Sequence, residues 1–512
     1  MRPVISTSVS HQTLWAVLGT ERIIEGVPEQ VSSLPPITLA VLDSRDVQAR
    51  AIFVAFPGEN TDGHQYIQAA IEAGAHTILC EERGMAMAEA SGATLVDFRS
   101  TPTVDLPTRI SEPPLAYIVD DALAALHALA HWHRIHATHP ELRVIGITGS
   151  VGKSSTKELT ASVLRQHYRT LNNEGSLNSE QGLAFTLLGL DQTDERAILE
   201  MGMYLVGDIQ ELCALGHPHV GVVTNVQPVH LSRAGTIERI AEGKSELVQA
   251  LPSVADGGVA ILNWDDFRVR AMGKQTEAGV FYYSADTKAG LANEDIDLWA
   301  SDIEGKGLEG VGFRLNYRNR ATNIIEDCAI QLPLIGRHNV QTALCAAAVG
   351  LVEGLSWTQI RTGLEQNPKQ IRLIPTAGIH GCLVIDDTYN ASTLSTTAAL
   401  KFLADVEPAH SGRRVAILGD MREMGSHTVE GHRIVGRCAA EVVDVLVTVG
   451  ELGRLIGESA QQTGIASQSL YMMNDDQQAI ALLKERLQPN DIALVKGSRA
   501  VGMEDIVKQI TR

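Results

Sequence analysis

No apolar run in the sequence is long enough to cross a bilayer, so no membrane insertion is expected. The opening residues, MRPVISTSVSHQTLWAV, also lack the pattern of a signal peptide. Cysteine is sparse: Cys80, Cys213, Cys328, Cys345, Cys382 and Cys438 are scattered with no C-x-x-C pair. That argues against a zinc or disulfide framework and for thiols kept reduced, hence a cytoplasmic location. Positive charge is short as well. The 42 Lys and Arg residues face 61 Asp and Glu, a formal charge of −19. This excludes a general nucleic-acid binder, although a local loop can still be electropositive toward a small anion. What is present is a globular composition, 44% hydrophobic over 512 residues. Such a chain is too long for one core, and three domains are expected.

Two phosphate-site templates also fail. The strict G-x-x-x-x-G-K-[ST] loop needs a glycine where Ile147 stands. The match to G-x-G-x-x-G at Gly305-Lys306-Gly307-Leu308-Glu309-Gly310 follows a polar stretch and leads into a strand, "VGFRLNY". A dinucleotide fingerprint needs a strand before it and a helix after, so this one reads as a hairpin turn.

Three segments of different texture make up an α/β chain. Residues 1–138 form a smaller N-terminal α/β domain, with strand-like runs at Ala51–Phe56 and Thr77–Cys80 and a helical stretch at Tyr66–Ala73. A connector helix, "DALAALHALAHWHRIHATHP", closes at Pro140. Residues 139–366 alternate apolar strands ("RVIGIT", "RAILEM", "VGVVTNV", "GVAILN") with helix-length stretches, the pattern of a parallel sheet covered on both faces. A β-rich appendage is expected between about 280 and 335. Residues 367–512 repeat three apolar strands that each end in a glycine, "RVAILGD", "VDVLVTVGE" and "DIALVKGS", which reads as a Rossmann-like unit.

The chemistry concentrates in "VIGITGSVGKSSTKE". A strand that ends in a glycine loop and opens a helix aims backbone N–H groups and the positive helix end at one spot. Within Thr148-Gly149-Ser150-Val151-Gly152-Lys153-Ser154, Lys153 supplies a mobile charge for terminal phosphates and Ser154 a hydroxyl for Mg²⁺. Carboxylate or imidazole ligands should stand at neighbouring strand ends; Glu200 and His230 do. His131, His133, His136 and His139 have spacings that could face a metal. No acidic or cysteine ligand lies near them, and a solvated connector is the expectation.

In order along the chain stand "DSR" with "PGENTDGH", "GITGSVGKSSTKE", "ILEMGM", "TNV" with His230, "EGKSEL", "GRHNVQTALCAAAV", "IDDTYNAS", "AILGDMREMG" and "VKGSRAVGMEDIV". The sequence resembles the Mur ligases, ATP-dependent amide-forming enzymes of peptidoglycan synthesis. Its closest likeness is to the branch that joins D-alanyl-D-alanine to UDP-N-acetylmuramoyl-tripeptide through an acyl phosphate. The resemblance implies ATP with two Mg²⁺ ions, a central P-loop mononucleotide-binding sheet, a C-terminal domain that closes on ATP and meets the dipeptide, and a monomer. On matching positions it implies a uridine-nucleotide site at Ser44, Arg45, Asp62 and His64, and phosphate binding from Thr148 through Ser155. Glu200, His230 and Ser154 become metal ligands, with Lys244 as a further one if carbamylated. Lys153, His230 and Lys244 are the catalytic candidates. His338 and Asn339 match an adenine-side motif, and Arg372 and Asp387 the positions that close on phosphates and ribose. Asn178, Asn390, Asp420, Lys496, Ser498 and Arg499 match substrate-facing positions.

The sequence departs from the family pattern in four places. Paired threonines are Ser154 and Ser155; the asparagine-rich stretch reads "EGSLNSEQG" and keeps Asn178; Gln227-Pro228-Val229 precedes His230; Ser392-Thr393 follows "YNA". The last three touch substrate-facing loops. The alternatives are therefore a ligase of this type with another acceptor or peptide, or a non-catalytic nucleotide-binding homologue.

Overall fold

Twenty-one strands fall into α/β layers in a computed structural model that describes residues 5–19, 29–58, 61–104, 106–107, 113–175, 177–229, 231–322, 324–366 and 370–511. The chain divides into two compact units. The first comprises Met1–Gly146, Tyr168–Gly202 and Asp208–His219; the second comprises Ile147–His167, Met203–Gly207 and Val220–Arg512.

In the first unit, β1 (Ile5–Val9), β2 (Ile37–Val41), β3 (Ala51–Val54), β4 (Thr77–Cys80), β5 (Thr94–Asp97) and β6 (Leu115–Ile118) form one sheet. The order is β1-β2-β3-β4-β6-β5, parallel except for β1. Strands β3, β4 and β6 are buried along their whole length, so they read as unbroken apolar runs instead of alternating ones. The helix Ala122–His136 starts at Asp121, whose carboxylate accepts the N–H groups of Leu123 and Ala124 at 2.8 and 2.9 Å. It is not a solvated connector. Its apolar face, with His133 and Arg134, is buried, and His133 Nε2 meets the Leu190 carbonyl at 2.8 Å.

Strand β7 (Arg143–Thr148) runs from the first unit into the second. Strands β8 (Thr170–Asn172) and β9 (Arg196–Glu200) pair in parallel within the first unit. In the second, β10 (Val220–Val223), β11 (Val259–Asn263), β12 (Gly279–Ser284) and β13 (Ile296–Gly305) lie side by side in parallel. Strands β14 (Val311–Asn319) and β15 (Ile324–Leu332) then add two antiparallel hairpin strands, the β-rich appendage expected from the sequence. The G-x-G-x-x-G stretch is the β13–β14 turn, with Gly307 at φ 56° and Gly310 at φ 98°, a conformation only glycine adopts without strain. The helix Asn339–Val352 packs on the helix Lys153–Leu164.

The C-terminal sheet holds β16 (Ile374–Ala377), β17 (Leu383–Asp387), β18 (Arg414–Gly419), β19 (Val445–Val449), β20 (Leu470–Met473) and β21 (Ile492–Lys496). Its order is β16-β17-β21-β18-β19-β20, parallel apart from the edge strand β16. The chain order reverses between β18 and β21. Ligands of open parallel sheets gather at such a switch point, outside the carboxyl ends of the strands.

Candidate functional site

The glycine loop follows β7 directly. Gly149 has φ 147°, and a Cβ there would strike the Thr224 hydroxyl. Gly152, at φ 89°, stands at the N-cap of the helix Lys153–Leu164. Both glycines are therefore required by backbone shape. The loop is held by the segment after β10. Asn225 accepts the Ser150 N–H on its carbonyl and the Val151 N–H on its side chain, both at 2.9 Å. The Thr224 hydroxyl and the Asn225 amide donate to the Val151 carbonyl at 2.8 and 2.9 Å. The Ser150 hydroxyl accepts the Gln227 N–H at 2.8 Å and donates to the Gln227 carbonyl at 3.1 Å. Gln227, a departure in sequence, thus braces the loop through its backbone.

Lys153 lies over its own loop, donating to the carbonyls of Gly149 at 2.7 Å and Ser150 at 3.4 Å. Ser154 and Ser155 are half-buried in the first turn of the helix, whose leading N–H groups have no intrahelical acceptor. Lys244 is buried at 3% exposure in the helix Ile237–Gln249. Burial, then the charge of Lys153, holds its ammonium far below the usual lysine range. A buried amine facing a second cation is suited to becoming an anion, which is what carbamylation would accomplish.

In the first unit Glu200 ends β9 and is 1% exposed. The Asn178 amide donates to its Oε1 at 2.9 Å. Asn173 clamps the Glu200 backbone, accepting its N–H at 2.9 Å and donating to its carbonyl at 3.2 Å. Asn178 therefore orients a carboxylate. His230 lies outside the described residues. Among those described, no three His, Cys, Asp or Glu side chains form a ready-made metal cage. Glu200 in the first unit and Ser154 in the second each offer a hard oxygen, the donor type that Mg²⁺ takes alongside water and phosphate oxygens.

The C-terminal motif residues gather at the ends of β17, β18 and β21. Lys496, 2% exposed, donates to Asp387 Oδ2 at 2.6 Å and to the Asn390 carbonyl at 2.8 Å. Asp387 Oδ1 is buried without a hydrogen bond. Burial lowers the Lys496 ammonium, the nearby Arg372 adds to this, and Asp387 opposes it. His338 is exposed as a residue, yet the surrounding protein desolvates its imidazole. That desolvation lowers it first; Asp387 raises it and Lys496 lowers it. The exposed ring of Tyr389 has Arg372 over it at 3.9 Å and Arg499 at 5.6 Å. Sequence reasoning overlooked Tyr389, although it stands inside "IDDTYNAS".

Other motif residues are spent on the scaffold. Asp420 accepts the N–H groups of Leu452 and Gly453 at 3.0 and 2.9 Å and pairs with Arg422 at 2.7 Å. The Ser498 hydroxyl accepts the Arg422 N–H at 2.8 Å. Asn339 donates to the Ile335 carbonyl at 2.8 Å. The Asn390 side chain accepts the Ala391 N–H at 2.8 Å. In the first unit His64 is buried; its Nε2 accepts the Glu81 N–H at 3.0 Å, so Nδ1 carries the proton it gives to Asp62 at 2.6 Å. Burial alone would raise the Asp62 carboxyl, but the bonds from His64 outweigh it and hold it low. Ser44 is half-buried in the adjacent turn, and Arg45 is exposed and forks onto Asp43 at 2.8 and 2.6 Å.

Three family models match in succession: the Mur ligase family catalytic domain at residues 36–102, the Mur ligase middle domain at 147–350, and the Mur ligase glutamate ligase domain at 372–499. The chain is 34% identical over 489 residues to the UDP-N-acetylmuramoyl-tripeptide–D-alanyl-D-alanine ligase of Mycobacterium tuberculosis, covering 90% of this chain and 89% of that one. The chain belongs to the Mur ligase family. This Mur ligase also shares its fold with a MurF crystal structure from Acinetobacter baumannii, at TM-score 0.75 and 26% identity over 98% of each chain. The MurF ligase of Thermotoga maritima, solved in complex with ADP, has TM-score 0.70 and 23% identity over 92% of this chain and 96% of that one. Among the described residues, no helix is long and apolar enough to cross a membrane.

Proposed function

We propose that this Mur ligase joins D-alanyl-D-alanine to UDP-N-acetylmuramoyl-tripeptide by way of an acyl phosphate formed from ATP. The observation that carries this reading is the 34% identity, over nine-tenths of the chain, to a ligase of that name. The geometry of the glycine loop agrees with it.

A carboxylate is a poor acyl donor because its leaving group would be oxide. In the proposed first step the carboxylate oxygen of the tripeptide bonds to the γ-phosphorus and ADP leaves. In the second, the amine of the dipeptide bonds to the acyl carbon, phosphate departs and the nitrogen loses a proton. Lys153 would leave its loop carbonyls to meet the transferred phosphoryl group, a change of partner that needs little movement. The N–H groups of the loop and helix start would hold the other phosphates. Magnesium held by Glu200, Ser154, His230 and a carbamylated Lys244 would supply charge neutralisation. His338, Arg372, Tyr389, Asp387 and Arg499 would receive the nucleotide at the end of the C-terminal sheet, shielding the acyl phosphate from water. Ser44 and Arg45 would form the uridine-nucleotide side beside the bonded Asp62–His64 pair, and the loops that Asn390, Lys496 and Ser498 brace would form the wall facing the dipeptide.

The deciding experiment combines UDP-N-acetylmuramoyl-tripeptide, ATP, magnesium and D-alanyl-D-alanine, with phosphate release followed and the product weighed by mass spectrometry. One phosphate per amide, with the mass of the pentapeptide, is expected. Turnover with another amino acid or dipeptide in place of D-alanyl-D-alanine would overturn the assigned acceptor, and no turnover with any acceptor would overturn catalysis.

A further inference from the structure

The four histidines at the end of the helix Ala122–His136 and just beyond it do not converge. His133 is buried against the Leu190 carbonyl, His136 meets the Trp132 carbonyl at 2.9 Å, and His139 accepts the Glu141 N–H. His131 does something different. Its Nδ1 stands 3.4 Å from Nε2 of His217, and both imidazoles are exposed. His217 follows the helix Asp208–Gly216 and has φ 47°, a strained conformation for a residue with a side chain.

One turn on from His131 is Arg134, 8% exposed. Among the described residues its guanidinium makes no hydrogen bond or ion pair, and its Nε is fully buried without a partner there. A buried arginine is ordinarily paired, because desolvating an unmatched charge is costly. The last turn of a helix favours cations, but the guanidinium bonds none of the helix carbonyls. Among the described residues no carboxylate acts on Arg134; burial lowers the His217 imidazole first, and the charges of His131 and Arg134 lower it further. The three groups are thus nitrogen donors of positive or potentially positive charge, lacking an anion. A metal would be repelled by the guanidinium and finds no carboxylate or thiolate here.

We propose that His131, Arg134 and His217 bind a tetrahedral oxyanion, with inorganic phosphate as the probe of choice. Arginine offers planar paired donors and the imidazoles two more, a set that matches phosphate oxygens. These three residues belong to the first unit, whereas the glycine loop belongs to the second.

The test is phosphate titration of the full chain carrying ¹³C-labelled histidine, at constant ionic strength against chloride, with His131→Gln assigning the resonances. Saturable, joint movement of the His131 and His217 signals is expected. It should persist in Lys153→Ala, where the glycine loop is disabled, and vanish in Arg134→Met. His131→Gln, a change at an exposed position, should weaken the response of His217 about tenfold. Citrate and acetate run in parallel; a stronger response to either would reassign the ligand from phosphate to carboxylate. Equal shifts in chloride alone, or an unchanged phosphate response in His131→Gln and Arg134→Met, would overturn the site.

Discussion

Replacing Lys153 by methionine separates the catalytic reading of the glycine loop from a structural one. The side chain is half-buried and donates to carbonyls of its own loop at 2.7 and 3.4 Å. The net contribution of such bonds, made by a charged group, is about 1.5–3 kcal/mol. Against it stands the repulsion between Lys153 and the buried amine of Lys244, which the substitution relieves. The two effects oppose each other, so unfolding by urea should move by no more than about 2 kcal/mol in either direction. In the reacting state the balance changes. The lysine would face charge that develops on a transferring phosphoryl group, and removing one preorganised donor of that kind costs about 3–4 kcal/mol, or roughly 10²–10³ in kcat. The assay is phosphate release under saturating substrates beside an unfolding curve on the same preparation. A variant that keeps near-normal turnover, or one whose lost activity is matched by lost stability, would refute the assignment of Lys153 to phosphoryl transfer.

Lys244→Ala should be inactive and regain part of its turnover with added short carboxylates, since the proposed carbamate supplies a negative ligand; absence of rescue, read in the same assay, counts against the modification. Asp387→Asn leaves a lysine of 2% exposure without its counter-charge, and urea denaturation should report a loss of about 3–5 kcal/mol, of which the double variant Asp387→Asn with Lys496→Met recovers most. The third outcome concerns acid. His11, buried beside Tyr117, has its imidazole lowered to about 4 by burial, with His76 adding to the effect. The folded chain therefore resists the proton that the unfolded chain takes up near pH 6.5, so stability falls as pH drops from about 6.5 to about 4, by on the order of 3 kcal/mol. Thermal unfolding across that window should show the slope, and His11→Gln should flatten it.

Much of the architecture could be read from patterns local to a few residues. The strand before the glycine loop, the β-rich appendage and three strands of the C-terminal sheet each announce themselves as apolar runs next to a turn. Strands β16 and β20 do not. The first contains Pro375 and is mostly exposed, and the second, "LYMM", is half-buried at the sheet's other edge. Edge strands have one partner and no continuous burial, so the hydrophobic signal is weak. The site divides the same way. Lys153 and Glu200 follow from strand ends and loop chemistry. The grip of Thr224 and Asn225 on Val151 does not, because it depends on two segments far apart in sequence coming to lie side by side. The pairing of His131 with His217 was equally hidden, as was the burial of His133 and Arg134 that makes a half-buried helix of an expected solvated one.

Membership of a motif and contact with a ligand are different properties, and the hydrogen-bond inventory separates them. Asp420 fixes the start of the helix Gly453–Thr463, the Ser498 hydroxyl fixes Arg422, Asn339 fixes Ile335, and both nitrogens of His64 are committed. A ligand could claim these atoms only by breaking bonds that hold the fold. His338 and the Tyr389 ring are exposed, and Asp387 keeps an oxygen without a hydrogen bond. These groups stand at the ends of strands beside the switch point, or across from it, where an open parallel sheet gathers its ligands. Alanine at Asp420 or Ser498 should therefore lower stability and activity together, whereas Tyr389→Ala, at an exposed ring with two guanidiniums near it, should raise the KM for ATP while leaving the unfolding curve nearly in place. Equal losses of stability at all three positions would mean that the C-terminal motif is framework throughout, and that the nucleotide is held from the central sheet alone.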